Sequence, residues 1–156
     1  MKEIVIETKV KTCPLAELPD EWKELAGRSL SAARDAYAPY SKFQVGAAVL
    51  LDSGIIVAGN NQENAAYPSG LCAERVALFY AGSQYPGVGV RAIAIAAQTA
   101  GRQTEMISPC GACRQVLLET EVRSKHPVKI LLCGRTQVYL VESAACLLPL
   151  SFNPEF

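Results

Sequence analysis

The chain reads as an α/β protein: a three-layer α-β-α domain around one five-stranded mixed sheet. Amphipathic stretches of helical period alternate with short β-branched or alanine-rich runs along most of its length. Gly, Pro, Asn and Ser punctuate the runs, as they punctuate strands and turns. At 156 residues, half of them hydrophobic and 19% charged, the chain can bury one core without disulfide staples. The expected organisation is a single domain, 1–156, with no internal repeat or interdomain linker.

Residues 1–18 are expected to be an N-terminal extension. In Met1–Thr12, Ile and Val alternate with Lys and Glu, which lacks the continuous apolar core of a signal peptide. Pro19-Asp20 opens a helix expected to run to about Tyr37. Trp22, Leu25, Ala26, Ser29, Ala33 and Tyr37 share one face, the acidic Asp20, Glu21 and Glu24 suit its N-terminal end, and Pro39 ends it. Gln44–Leu51 and Ile55–Asn60 form a hairpin around Asp52-Ser53-Gly54, where Gly supplies positive φ. Asn61–Leu71 is polar, contains Pro68 and Gly70, and reads as a loop.

A second helix is expected from about Cys72 to Ala81, with Ala77, Leu78 and Ala81 inward. Val90–Ala97 is small and apolar, suited to the centre of a sheet. Pro109 can occupy the first turn of a third helix, expected to end near Glu121. Val128–Cys133 and Gln137–Val141 are two more strands, and Ser143 can cap a short terminal helix through Leu148.

Composition excludes some functions. Fifteen Lys+Arg balance fifteen Asp+Glu, so the electrostatic footprint of a nucleic-acid binder is missing and no nucleic-acid partner is expected. No apolar run approaches membrane-spanning length, so a cytoplasmic protein without a membrane partner is expected. In a reducing compartment six cysteines are metal ligands or buried thiols rather than three disulfides. Cys13, Cys133 and Cys146 lack ligand-like spacing and read as ordinary core or near-surface thiols.

The other three cysteines carry chemistry. Cys72-Ala-Glu74 and Pro109-Cys110-Gly-Ala-Cys113 each stand where a loop meets a helix start. Free N–H groups and the helix dipole favour thiolate there. The gap in Cys110-x-x-Cys113 lets two sulfurs reach one ion, but neither cluster closes a tetrahedral site alone. Cys72, Cys110 and Cys113 together make three ligands to one Zn2+, leaving a fourth position open as catalytic zinc sites do. Glu74, beside that position, is the candidate proton carrier. Three thiolates around a divalent cation leave a net negative charge, so a positive partner is expected, and Arg75 is the candidate donor to a ligand sulfur. An isolated CxxC often belongs to a structural ribbon, and an isolated Glu at a helix start is often a solvated charge. The combination matches the general signature of zinc deaminases in its three-cysteine form.

These motifs resemble those of the cytidine deaminase family, in its small, homotetrameric, three-cysteine form. Tyr40-Ser-Lys-Phe43-Gln-Val-Gly-Ala-Ala48 is similar to the family's first strand and the loop before it. Asn61-Gln-Glu63-Asn-Ala-Ala-Tyr67 is similar to its nucleoside-binding segment. Ile107-Ser-Pro-Cys-Gly-Ala-Cys-Arg-Gln-Val116 is nearly a family signature, and Leu148-Pro-Leu-Ser-Phe152 looks like its C-terminal end. The resemblance spans about Asp20 to Phe152.

It implies hydrolytic deamination of cytidine, and of 2'-deoxycytidine, to uridine or 2'-deoxyuridine and ammonia, with attack at C4 and Glu74 moving protons. It implies substrate binding by Phe43, Asn61, Glu63, Ala65, Tyr67 and Phe152, main-chain recognition of the base at Ala73 and Ser108, and a tetramer whose neighbours complete each site. A deaminase of an aminopyrimidine nucleoside antibiotic shares the zinc motifs, though the FQVGAA and NQENAAY segments favour the ordinary nucleoside. A nucleic-acid deaminase needs a basic channel that this neutral chain lacks. A non-catalytic zinc scaffold would have no use for Glu74. His126, before Pro127, reads as an exposed turn residue.

Overall fold

The computed structural model describes residues 1–152, so the expected domain boundary at residue 156 lies outside the described residues. Its elements follow in the order β1 (Val10–Cys13), α1 (Asp20–Arg34), β2 (Phe43–Leu51), β3 (Ile56–Asn60), α2 (Ala73–Gln84), β4 (Val90–Thr99), β5 (Arg102–Gln103), α3 (Gly111–Ser124), β6 (Lys129–Cys133) and β7 (Val138–Val141). Short 3-10 turns occupy Leu15–Glu17, Tyr67–Ser69 and Ala144–Leu147. The main sheet runs β1-β7-β6-β4-β2-β3, and β5 adds to β4. It is mixed: β4 and β6 pair in parallel, and the other pairs are antiparallel. A parallel neighbour needs a crossover, and α3 supplies it.

Successive side chains of β2 face opposite layers. Ala47, Val49 and Leu51 pack with Ala73, Ala77, Leu78 and Ala81 of α2 and Leu117 of α3. Ala48 and Leu50 pack with Leu25 and Ala26 of α1. The same alternation divides β4, with Ile93 and Ile95 toward α2 and α3 and Ala92, Ala94 and Ala96 toward α1. Small residues let the helices close in. A Cβ at Gly46 would lie 2.0 Å from the Ser29 carbonyl oxygen of α1, and one at Gly59 would lie 2.6 Å from the Ala77 nitrogen of α2.

The five expected strands are present, but the sheet has seven. The extension supplies β1, pairing Val10↔Val141 through Cys13↔Val138, and β5 is a two-residue return after the turn at Ala100 and Gly101. The first helix stops at Arg34, not near Tyr37. Tyr37 is 55% exposed, and its main chain binds the 61–63 loop: its N–H donates to Asn61 and its carbonyl accepts from Glu63. Pro109 lies before the cap of α3 rather than in its first turn, since Cys110 is the cap. The terminal helix is a single 3-10 turn, with Ser143 Oγ capping it by accepting from the Ala145 N–H.

Candidate active site

Two helix N-termini converge on three sulfurs. Cys72 is the cap of α2 and Cys110 the cap of α3, both in extended backbone, and Cys113 falls in the first turn of α3. Helix α2 is drawn against β3 at Gly59, and α3 packs through Leu117 on the same sheet face. The sulfurs of Cys72, Cys110 and Cys113 all lie within 4.8 Å of one another. Cys72 Sγ is 3.7 Å from Cys110 Sγ, which is 3.5 Å from Cys113 Sγ.

These separations fit a metal. Thiolates about 2.3 Å from a tetrahedral zinc stand about 3.8 Å apart, whereas a disulfide would bring sulfurs to about 2 Å. Hydrogen bonding and burial move the thiols in opposite directions. The Cys72 thiol is pushed well down by a hydrogen bond from Cys113 and by Arg75, and the Cys113 thiol is pushed up by that same bond and by burial. A cation takes the place of the thiol protons when thiolates bind it. The donor set, spacing and helix ends therefore fit one zinc ion per chain. Cys13, Cys133 and Cys146 lie outside the cluster.

Glu74 sits on the first turn of α2, only 4% exposed. Burial, followed by the charge on Cys72, raises its pKa above the ordinary carboxylate value. Arg75 Nη2 donates to Cys72 Sγ at 3.9 Å, while Arg75 Nε is buried without a partner, a spare donor beside the sulfurs.

A cleft of ≈ 510 Å³ opens beside Cys72 and Arg75 and is lined also by Asn61, Glu63 and Tyr67. The 61–63 segment is pinned by bridges from Gln62 to Tyr37 and Leu71. Asn61 and Glu63 both reach back toward residues 40–45. Asn61 Oδ1 accepts from the Val45 N–H and Asn61 Nδ2 donates to the Phe43 carbonyl, leaving each group one further bonding position. Glu63 accepts from the Tyr40 and Ser41 N–H groups and from Ser41 Oγ, and these bonds hold its carboxylate below the usual range. Tyr67, 78% exposed, meets Tyr40 edge-on with ring centroids 6.3 Å apart.

The remaining expected binding residues do not line this cleft within one chain. Phe43 begins β2, Ala65 is exposed in the loop, and Phe152 is 73% exposed with its carbonyl accepting from Gln115 Nε2. Sequence reasoning gave no role to Tyr40 and Ser41, which hold Glu63. The Tyr40-Ser41 dipeptide before β2 was the available signal.

A mixed-sheet α/β domain with three convergent thiols and a buried carboxyl defines a zinc hydrolase. Residues 20–126 match the family described as the cytidine and deoxycytidylate deaminase zinc-binding region, and the chain belongs to that family. It is 42% identical over 116 residues to a cytidine deaminase of Mycobacterium tuberculosis, an alignment covering 72% of this chain and 84% of that protein. It is 49% identical over 100 residues to one from Sporosarcina psychrophila, covering 62% of this chain and 68% of the relative. The crystal structure of cytidine deaminase from Burkholderia pseudomallei superposes with a TM-score of 0.72 at 40% identity, covering 83% of this chain and 98% of the other.

Proposed function

We propose that this chain is a zinc-dependent cytidine deaminase that converts cytidine and 2'-deoxycytidine to the corresponding uridines and ammonia. The observation that carries the reading is the buried carboxyl of Glu74 two residues from a sulfur cluster with metal-like spacing. Cytidine deaminases of similar sequence and fold support it.

Cys72, Cys110 and Cys113 would hold the ion, and their three sulfurs leave one tetrahedral position for water or substrate. When bound there, zinc supplies Lewis acidity that makes water a competent nucleophile near neutral pH. Water adds its oxygen to C4 of the cytosine ring, and Glu74 takes one of its protons and delivers it to ring N3. Glu74 then passes the second proton to the 4-amino nitrogen as the C4–N bond breaks and ammonia leaves. The low solvent exposure of Glu74 keeps that proton from being lost to bulk water. Arg75 offsets the negative charge of the thiolates. Asn61 and Glu63, held by residues 40–45, bind the sugar hydroxyls, and Phe43, outside the cleft of the single chain, is given a face of the pyrimidine on the family resemblance alone.

In a homotetramer Phe152 serves the site of a neighbouring copy, Tyr67 joins the same intersubunit network while lining the cleft of its own chain, and Ala65 binds substrate. Tyr67, Phe79, Tyr80 and Phe152, each more than half exposed, are apolar surface that such an assembly would cover. Residues 1–156 act as one domain in which 1–18 is an addition. Among the described residues no helix is long and apolar enough to cross a membrane. Free thiol ligands suit the reducing cytoplasm.

The test is ultraviolet loss of the cytosine chromophore with purified protein of measured zinc content. Turnover of cytidine and deoxycytidine is expected. Exclusive turnover of an aminopyrimidine antibiotic or of single-stranded DNA would contradict the reading.

A further inference from the structure

We infer that Arg114 is a positioning residue that ties the loop carrying Cys110 to the C-terminal segment carrying Phe152, a coupling that rests on the function proposed above. Arg114 follows Cys113 on α3, and its guanidinium bonds in three directions. Nε donates to the Pro109 carbonyl at 2.9 Å, Nη2 to Ser108 Oγ at 2.9 Å and Nη1 to the Leu147 carbonyl at 3.0 Å. Ser108 and Pro109 lead directly into Cys110, and Leu147 closes the last 3-10 turn.

Two neighbours on α3 extend the attachment. Glu121 grips the front of that turn, accepting from Ser143 Oγ and from the Ala144 N–H. Gln115 Nε2 donates to the Phe152 carbonyl at 2.8 Å. The helix is thus a rack on which the C-terminal segment lies, while its own N-terminal cap is Cys110. Of the three side chains, Arg114 alone bonds both the Cys110 loop and the segment. Lysine cannot replace it, because its donors radiate from one atom and not from a planar fork. The metal-carrying loop and the tail are therefore placed together.

The experiment compares Arg114→Ala, Arg114→Lys and Gln115→Ala with the wild-type zinc-loaded full chain. Zinc transfer to a colorimetric chelator is expected to be about tenfold faster in both Arg114 variants, the usual scale for losing a partner that supports a ligand. In Gln115→Ala it is expected to stay within about twofold of wild type, since a neutral hydrogen bond to the tail alone is lost. Amide hydrogen exchange over residues 144–152 is expected to quicken in all three, while residues 73–84 keep the wild-type rate. With cytidine, Gln115→Ala raises KM and Arg114→Ala raises KM and lowers kcat. In a Phe152→Ala background the KM effect of Arg114→Ala largely disappears, which a general loss of structure would not produce.

If Arg114→Ala fails to fold, Arg114→Lys and Gln115→Ala decide the matter. Zinc release at the wild-type rate in the Arg114 variants, or unchanged exchange over 144–152, overturns the inference. Absence of cytidine turnover in the wild type sinks the proposed function instead, and zinc release and exchange still judge the role of Arg114.

Discussion

Cys72 Sγ and Cys110 Sγ stand 3.7 Å apart across 38 residues of chain because each caps the N-terminus of a different helix. The unpaired N–H groups and dipoles of α2 and α3 favour negative charge at one place. Neither helix could assemble the cluster without the sheet face on which both pack.

A ligand variant reads this arrangement directly. Cys110→Ala is expected to lose bound zinc, measured by elemental analysis after gel filtration, and to lose cytidine turnover with it. Cys133→Ala, a buried thiol outside the cluster, is expected to keep zinc and to show reduced thermal stability only.

The contact of α1 with β2 leaves no room for a side chain at Gly46. A Cβ there meets the Ser29 carbonyl oxygen at 2.0 Å and the Ala33 nitrogen at 2.4 Å, both main-chain atoms that cannot swing aside. Gly46→Ala is therefore expected to destabilise the protein by about 3 kcal/mol. Denaturant unfolding checks it by a lowered midpoint at constant slope.

Lys125 ends α3 in the left-handed region with φ of 60°. A side chain is strained there and glycine is not. Lys125→Gly is expected to raise stability by about 0.5 kcal/mol, offset in part by the added freedom of the unfolded chain. A small rise in denaturation midpoint without change in turnover is the expected readout.

His126 and Asp52 form an exposed pair at 3.1 Å. The hydrogen bond to Asp52 raises the His126 pKa above the ordinary imidazole value. A raised folded-state value stabilises the fold fully below the unfolded value, and the gain disappears as pH rises through the raised value. Melting temperatures of wild type and Asp52→Asn are expected to differ most on the acid side of neutrality and to converge in alkaline buffer. A gap that widened with pH would contradict the pairing.

The parts of this molecule legible in its sequence are those with local causes. The β2–β3 hairpin with its Gly54 turn, the apolar run of β4 and the cysteine spacing each reflect residues close together in the chain. Strand β1 was not legible: three of its four residues are exposed, and its partner, β7, begins more than a hundred residues later. The end of α1 was missed because Tyr37 is held by the distant 61–63 loop rather than by its own helix. At the site, the motifs pointed to the sulfurs and Glu74. The bonding of Glu63 to Tyr40 and Ser41, and the reach of Arg114 across to Leu147, are tertiary facts that no spacing encodes.

Glu74→Gln gives the most direct test, because it preserves size and polarity while removing the proton carrier. Zinc content and cytidine turnover are measured on the same preparations of wild type and variant. One zinc per chain in both, with turnover lower by about two to four orders of magnitude in the variant, is the expected result. Wild-type turnover in Glu74→Gln, or an active wild type that contains no zinc, would contradict the account.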